Sequence, residues 1–239
     1  MTSDQRKIPH PVLDQIRVVS LDLDDTLWYC APAILRAEEK LYTWLEQHHP
    51  QVIARRNRDA MRELRANMYL TYPHLSADVT LMRKALLQQL FDQHENSERL
   101  VEQAFSVFYR ARSEVELFAG THELLAALQK DYKVAAITNG NASLKLVGLS
   151  DYFHDIQKAS LTNPPKPESD MFDTCCKKFG IAAHEMLHVG DNPQTDIVGA
   201  RNAGARTVWF NQVDANWPKE LTRADFEVKS LHELQLLLT

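Results

Sequence analysis

The chain has 239 residues, 44% of them apolar and 25% charged, with a formal net charge of −5. That composition excludes a fibrous or intrinsically disordered protein, and the acidic balance argues against nonspecific nucleic-acid binding through a basic face. Three cysteines, two of them adjacent (Cys175 and Cys176), make neither a disulfide framework nor a paired-cysteine metal site. Segment 1–10 is polar, and no later stretch approaches about 18 uninterrupted apolar residues. The expectation is a cytoplasmic monomer with no membrane or nucleic-acid partner. All seven glycines fall at or after Gly120, so the front half suits long helices and the back half suits turns.

The β-branched run 16–21 predicts a buried strand feeding the polar loop Asp22-Leu23-Asp24-Asp25-Thr26. From 32 to 116 apolar residues recur three or four apart, as in Val79, Met82, Leu86, Leu87 and Leu90. Four helices are predicted there, near 33–48, 51–70, 77–93 and 97–115, with Ser76 and Asn96 as N-caps. After Gly120 the pattern alternates between helices near 121–128, 169–179 and 193–203 and strands near 133–137, 155–159, 186–189, 207–210 and 226–228. Such alternation implies βαβ units. The fold class is therefore α/β: a doubly wound parallel-sheet core, 1–31 and 117–239, interrupted by an inserted all-helical cap, 32–116.

In an open α/β sheet, ligands gather at the carboxyl ends of the strands. There the sequence places Asp22 and Asp24, then Thr138, Asn139 and Gly140, then Lys166, then Asp191 and Asp196. Crowded carboxylates repel one another unless a cation lies among them, and an all-oxygen set suits Mg²⁺. An ammonium and a hydroxyl beside that cation would hold phosphoryl oxygens. The set reads as a Mg²⁺-dependent phosphoryl-transfer site.

Asp22-Leu23-Asp24-Asp25-Thr26-Leu27, Thr138-Asn139-Gly140, Lys166-Pro167 and Gly190-Asp191 with Asp196 resemble, in order, the four motifs of the haloacid dehalogenase-like hydrolases. The resemblance implies that Asp22 is the nucleophile and Asp24 the general acid and base, while Thr138 and Lys166 hold the transferring phosphoryl group. It also implies Mg²⁺ on Asp22, Asp191 and the backbone carbonyl of Asp24, with Asp196 in support. Asp25 stands where many family members have Gly. Dehalogenating members attack carbon and need no acid two residues after the nucleophile, so Asp24 points to a phosphatase.

More finely, the stretches Asp22 to Trp28, Pro32 to Arg36 and Ile137 to Ala142 resemble bacterial phosphatases acting on flavin mononucleotide and on a phosphorylated pyrimidine intermediate of riboflavin synthesis. The substrate expected is a small phosphate ester. Asn139 and Gly140 would contact it, and Trp28 and Tyr29 would stack on its heterocycle. A nucleotidase or sugar-phosphate phosphatase is the alternative, ahead of a haloacid dehalogenase or a binding module.

Several residues carry blander readings. Thr26 would fix the loop, and Asp196 would by itself serve equally as a helix cap. His188 would be a hydrogen-bonded core histidine, and the adjacent cysteines would pack in a helix. Arg55, Arg56 and Arg58 would lie on a solvated helix face.

Overall fold

The computed structural model describes residues 11–239, so the polar segment 1–10 lies outside the described residues. One sheet contains strands β1 (Val18–Leu21), β2 (Lys133–Thr138), β3 (Asp155–Lys158), β4 (Met186–Gly190), β5 (Arg206–Phe210) and β6 (Phe226–Val228). Their order is β3-β2-β1-β4-β5-β6, with every neighbouring pair parallel. The order reverses beside β1, the topological switch point where such sheets form a crevice.

Successive side chains of a strand face opposite sides of the sheet. Val19, Leu21, Val134, Ala136, Leu187 and Val189 accordingly share one buried layer, and Val18, Ala135, Ile137 and Met186 share the other. Both faces are covered, which is why these strands read as continuous apolar runs.

The helices are α1 (Cys30–His48), α2 (Pro50–Arg55), α3 (Arg58–Ala66), α4 (Met68–Thr71), α5 (Val79–Leu90), α6 (Ser97–Arg112), α7 (Thr121–Asp131), α8 (Leu144–Val147), α9 (Asp170–Phe179), α10 (Val198–Asn202) and α11 (Leu231–Leu238). Helices α7 and α11 pack on the first sheet layer, and α9 and α10 on the second. Helices α1 to α6 are inserted between β1 and β2 and have a hydrophobic centre of their own, built on Leu41, Leu45, Leu87, Phe91 and Phe108. Among the described residues no helix is long and apolar enough to cross a membrane.

The helix expected over 51–70 is three pieces. Arg56 adopts an extended backbone, and the Asn57 side chain accepts the Ala60 N–H at 3.0 Å, so a new helix starts at Arg58. Asn67 then leaves the helical region and separates α3 from α4. Ser76 is not a cap: Asp78 is, accepting the N–H groups of Thr80 and Leu81. Asn96 stands at the N-cap position of α6 without a side-chain cap bond. The segment expected as a helix over 193–203 opens with a π-helical turn, Pro193–Ile197, capped by Asn192, before α10 begins. Cys175 and Cys176 pack on α9 as expected.

Candidate active site

The register aligns Leu21 with Ala136 on one side and with Val189 on the other. The loops after β1, β2 and β4 therefore open at the same end of the sheet. Strand geometry alone thus delivers Asp22, Thr138 and Asp191 to one crevice.

Lys166 reaches that crevice from the loop after β3. Asn139 holds its backbone twice: Nδ2 donates to the Lys166 carbonyl at 2.9 Å, and the Lys166 N–H donates to Oδ1 at 2.8 Å. The ammonium donates hydrogen bonds of 2.6 Å to Asp22 Oδ1 and to the Ile137 carbonyl and forms an ion pair with Asp196 Oδ1, also at 2.6 Å. It is only 3% exposed.

Burial would pull Lys166 below the usual lysine range, but Asp196 and Asp22 outweigh it and raise the group. Burial also pushes Asp196 upward, yet Lys166 and His188 overcome it and hold the carboxyl below its usual range. At Asp22 burial wins: Lys166 opposes it, Asp196 and Asp191 reinforce it, and the carboxyl is raised well above its ordinary value.

Asp191 accepts a 3.3 Å hydrogen bond from the Thr26 hydroxyl, so Thr26 fixes the loop as expected. Its carboxyl is pushed up to about 7 by burial, then by repulsion from Asp196 and Asp25. Ligand oxygens of Asp22, Asp191 and Asp196 lie within 4.8 Å of one another, with the single ammonium of Lys166 against them. This excess of negative charge in an all-oxygen set fits a hard divalent cation such as Mg²⁺. Asp196 is spent on other work, since Oδ1 contacts Lys166 and Oδ2 accepts the Asn192 N–H at 2.9 Å. Asp22 and Asp191 are the carboxylates left that could hold such an ion.

Asp24 points elsewhere. Trp28 Nε1 donates to Oδ1 at 2.7 Å, and Arg112 Nη2 donates to Oδ1 at 2.6 Å and Oδ2 at 2.5 Å. A Cβ placed on Gly140 would lie 2.3 Å from Asp24 Oδ2, so only glycine allows this approach. The Thr138 hydroxyl accepts the Gly140 N–H at 2.9 Å, leaving its own proton free to donate. Asp25 takes φ +57, the left-handed region for which glycine is the usual choice, and accepts the Cys30 N–H at 2.9 Å.

One expected substrate contact needs correction. Trp28 is fully buried, with its indole N–H committed to Asp24, so it offers no face to a heterocycle. The Asn139 side chain is engaged in holding Lys166, so a contact from this residue to substrate falls to its backbone. Tyr29 remains available: it is 46% exposed and lines a hollow of about 370 Å³ with Asp25, Asp191, Trp209 and Val213. His188 is a core histidine, 2.9 Å from the Ser20 hydroxyl and edge-on to Phe172.

Sequence reasoning missed Arg112, the cation from the end of α6 that faces Asp24. It also missed Asn192, whose signal was present as a capping residue before Pro193.

The sequence model of the haloacid dehalogenase-like hydrolases matches residues 16–204. The 5-amino-6-(5-phospho-D-ribitylamino)uracil phosphatase YigB of Escherichia coli (strain K12) is 35% identical over 202 residues, 83% of this chain and 84% of that protein. The pyrimidine 5'-nucleotidase YjjG of the same organism is 34% identical over 125 residues, 50% of this chain and 55% of that protein. A solved structure of 2-haloacid dehalogenase from Pseudomonas syringae pv. Tomato DC3000 matches with a TM-score of 0.85 and 32% identity, covering 93% of this chain and 98% of that one.

Proposed function

The chain belongs to the haloacid dehalogenase-like hydrolases, and we propose that within them it is a Mg²⁺-dependent phosphatase that hydrolyses a small phosphate monoester through an aspartyl-phosphate. The observation that carries the reading is the pair of differently held carboxylates: Asp22 against Lys166, and Asp24 two residues on against Arg112 and Trp28.

In this mechanism a carboxylate oxygen of Asp22 attacks phosphorus and the bond to the leaving oxygen breaks. The Asp24 carboxyl gives that oxygen its proton, releasing an alcohol. Asp24, now a carboxylate, takes a proton from water, and the hydroxide so formed attacks the aspartyl-phosphate. Phosphate leaves, Asp22 is again a carboxylate, and Asp24 again carries its proton. Lys166 holds Asp22 in place and offsets charge on the transferring group, while the Thr138 hydroxyl donates to a phosphoryl oxygen. Mg²⁺, held by Asp22, Asp191 and the Asp24 backbone carbonyl, would clamp the developing charge.

We place the core at 1–31 and 117–239 and the cap at 32–116. The cap reaches the site through Arg112 and through Thr80, whose hydroxyl accepts Asn141 Nδ2 at 3.2 Å. A cap of this kind excludes bulk water and contributes leaving-group contacts.

The ribityl phosphate named for YigB, with flavin mononucleotide beside it, is the substrate class we favour, since that relative covers most of the chain. Tyr29 is the ring left to meet the heterocycle. The YjjG match keeps pyrimidine nucleotides as the second class.

The test is a Mg²⁺-dependent rate comparison across flavin mononucleotide, the ribitylaminouracil phosphate, pyrimidine nucleotides and sugar phosphates, with halide release from 2-haloacids measured alongside. Phosphate release that stops in Asp22→Asn is expected. Halide release without phosphatase activity would overturn the reading in favour of the chemistry named for the Pseudomonas structure.

A further inference from the structure

Arg112 is the last residue of α6, yet its side chain is only 3% exposed and reaches the loop after β1, 88 residues away in the chain. One of its nitrogens, Nη2, bonds both oxygens of Asp24 and lies 3.8 Å from Cys30 Sγ. The other, Nη1, is buried with no hydrogen-bond partner. A buried ion pair is a poor stabilising device, and a buried donor without an acceptor is costly. The arrangement therefore calls for a reason other than stability.

The hydrogen bonds around Asp24 supply one. Each carboxylate oxygen accepts about two hydrogen bonds. Oδ1 already takes two, from Trp28 and Arg112, and is saturated. Oδ2 takes one, from Arg112, and faces Gly140. The Asp24 carboxyl is thus held from two directions, by a core indole and a cap guanidinium, with Gly140 leaving it room. Only Oδ2 retains a lone pair that can carry a proton.

We propose that Arg112 is the positioning residue for Asp24: it turns the carboxyl so that Oδ2 carries the proton toward the leaving oxygen, and it ties this alignment to the seating of the cap. The unpartnered Nη1 is then the donor that the substrate's leaving-group side completes. The proposal rests on the reading of Asp24 as general acid and base given above.

Leaving groups separate the possibilities. An aryl ester, p-nitrophenyl phosphate, departs without protonation, whereas the alkyl ester flavin mononucleotide requires it. General acid catalysis contributes about 10²- to 10⁴-fold, and kcat/KM covers only the steps up to departure of the leaving group, so Asp24→Asn should lower kcat/KM on the alkyl ester by about that factor relative to the aryl ester. Arg112→Gln should shift the same kcat/KM ratio in the same direction by about tenfold or more, and Arg112→Lys should recover most of it. Because the ratio is taken within one preparation, it does not depend on the fraction of molecules folded.

The double variant Asp24→Asn/Arg112→Gln should show little further change in the ratio, since residues acting as one unit are not additive. An unchanged ratio in Arg112→Gln beside a changed ratio in Asp24→Asn overturns the positioning role and leaves the general-acid reading intact, as does a Lys variant no better than Gln. An unchanged ratio in Asp24→Asn overturns that reading and the inference with it.

Discussion

Replacing Lys166 by Met tests whether the site is built around one buried cation. Methionine keeps the length and apolar stem of the side chain while removing the charge. The ammonium it removes lies 2.6 Å from each of two carboxylates, Asp22 and Asp196, in a position only 3% exposed. Removing one partner of a buried pair costs about 3–5 kcal/mol, because the other charge is left uncompensated. In a chain of this size each kcal/mol moves Tm by about 2–4 °C, so the metal-free variant should melt about 6–20 °C below wild type by circular dichroism. The pH dependence has a definite sign. Asp196 is held below its usual range, so its contribution is present above the ordinary carboxylate pKa near ~4 and is lost as pH falls through its lower folded value. Lys166 is raised, so its contribution is present below the ordinary lysine pKa near ~10.4 and is lost as pH rises through its higher folded value. The gap between variant and wild type should therefore narrow as the solution is acidified and the stranded carboxylates take up protons. Adding Asp196→Asn removes one stranded charge while keeping an acceptor for the Asn192 N–H. The double variant should then lie at least about 1 kcal/mol above the sum of the singles. A Tm within about 2 °C of wild type, or strict additivity, would refute the reasoning.

Three further outcomes are expected. Asp191 is pushed up to about 7, and a protonated carboxyl does not ligate. Mg²⁺ affinity measured by calorimetry should therefore rise roughly fivefold from pH 6 to 7, reach about tenfold by pH 8 and level off above it, and a flat profile would count against Asp191 as a ligand. A Cβ on Gly190 would come within 2.3 Å of Asp196 Cγ. Gly190→Ala should therefore cost about 1–3 kcal/mol in a urea titration and lower turnover, whereas wild-type behaviour would show that Asp196 can shift freely. Burial raises the Cys30 thiol to about 12, with Asp24 adding to the shift, raises Cys176 to about 11, and raises Cys175 as well. A thiol reagent at pH 8 should find no fast-reacting cysteine in the native protein and three after denaturation; a rapid native reaction would contradict that burial.

The central strands β1, β2, β4 and β5 were legible because they are buried on both faces, so an apolar run of the right length admitted few other readings. Phe226–Val228 was read at its observed bounds, and β1 began two residues later than expected. The helices were less legible where polar side chains interrupt them. Nothing in the apolar spacing of 51–70 distinguishes one helix from three, because the breaks come from Asn57 and Asn67 turning the backbone locally. The same competition moved the start of α5 from Ser76 to Asp78, two candidate caps within three residues. Helix α11 was not anticipated at all. Its Leu231, Leu234 and Leu238 repeat at helical spacing, with Ser230 accepting the Glu233 N–H as a cap.

At the site, legibility followed the backbone. Asp22, Thr138 and Asp191 stand at the ends of three adjacent parallel strands, so finding the strands placed them together. Asn139 and Trp28 lie in the same loops, but position in a loop does not decide which way a side chain turns. Asn139 matches two polar groups of the Lys166 backbone, and Trp28 can bury its ring while keeping an acceptor for its N–H. Both side chains are therefore spent on holding Lys166 and Asp24 in place. Arg112 left no local mark because its pairing depends on how α6 seats against the loop after β1. Two carboxylates separated by one residue are thus given different surroundings. Asp22 receives its cation from the core, through a loop fixed by Asn139. Asp24 receives its cation from the inserted helices, so its alignment follows the cap. In the proposed mechanism a nucleophile must be in place before substrate arrives, whereas an acid is needed only once the leaving group is enclosed, and on that reading the division of cations between core and cap supplies each condition separately.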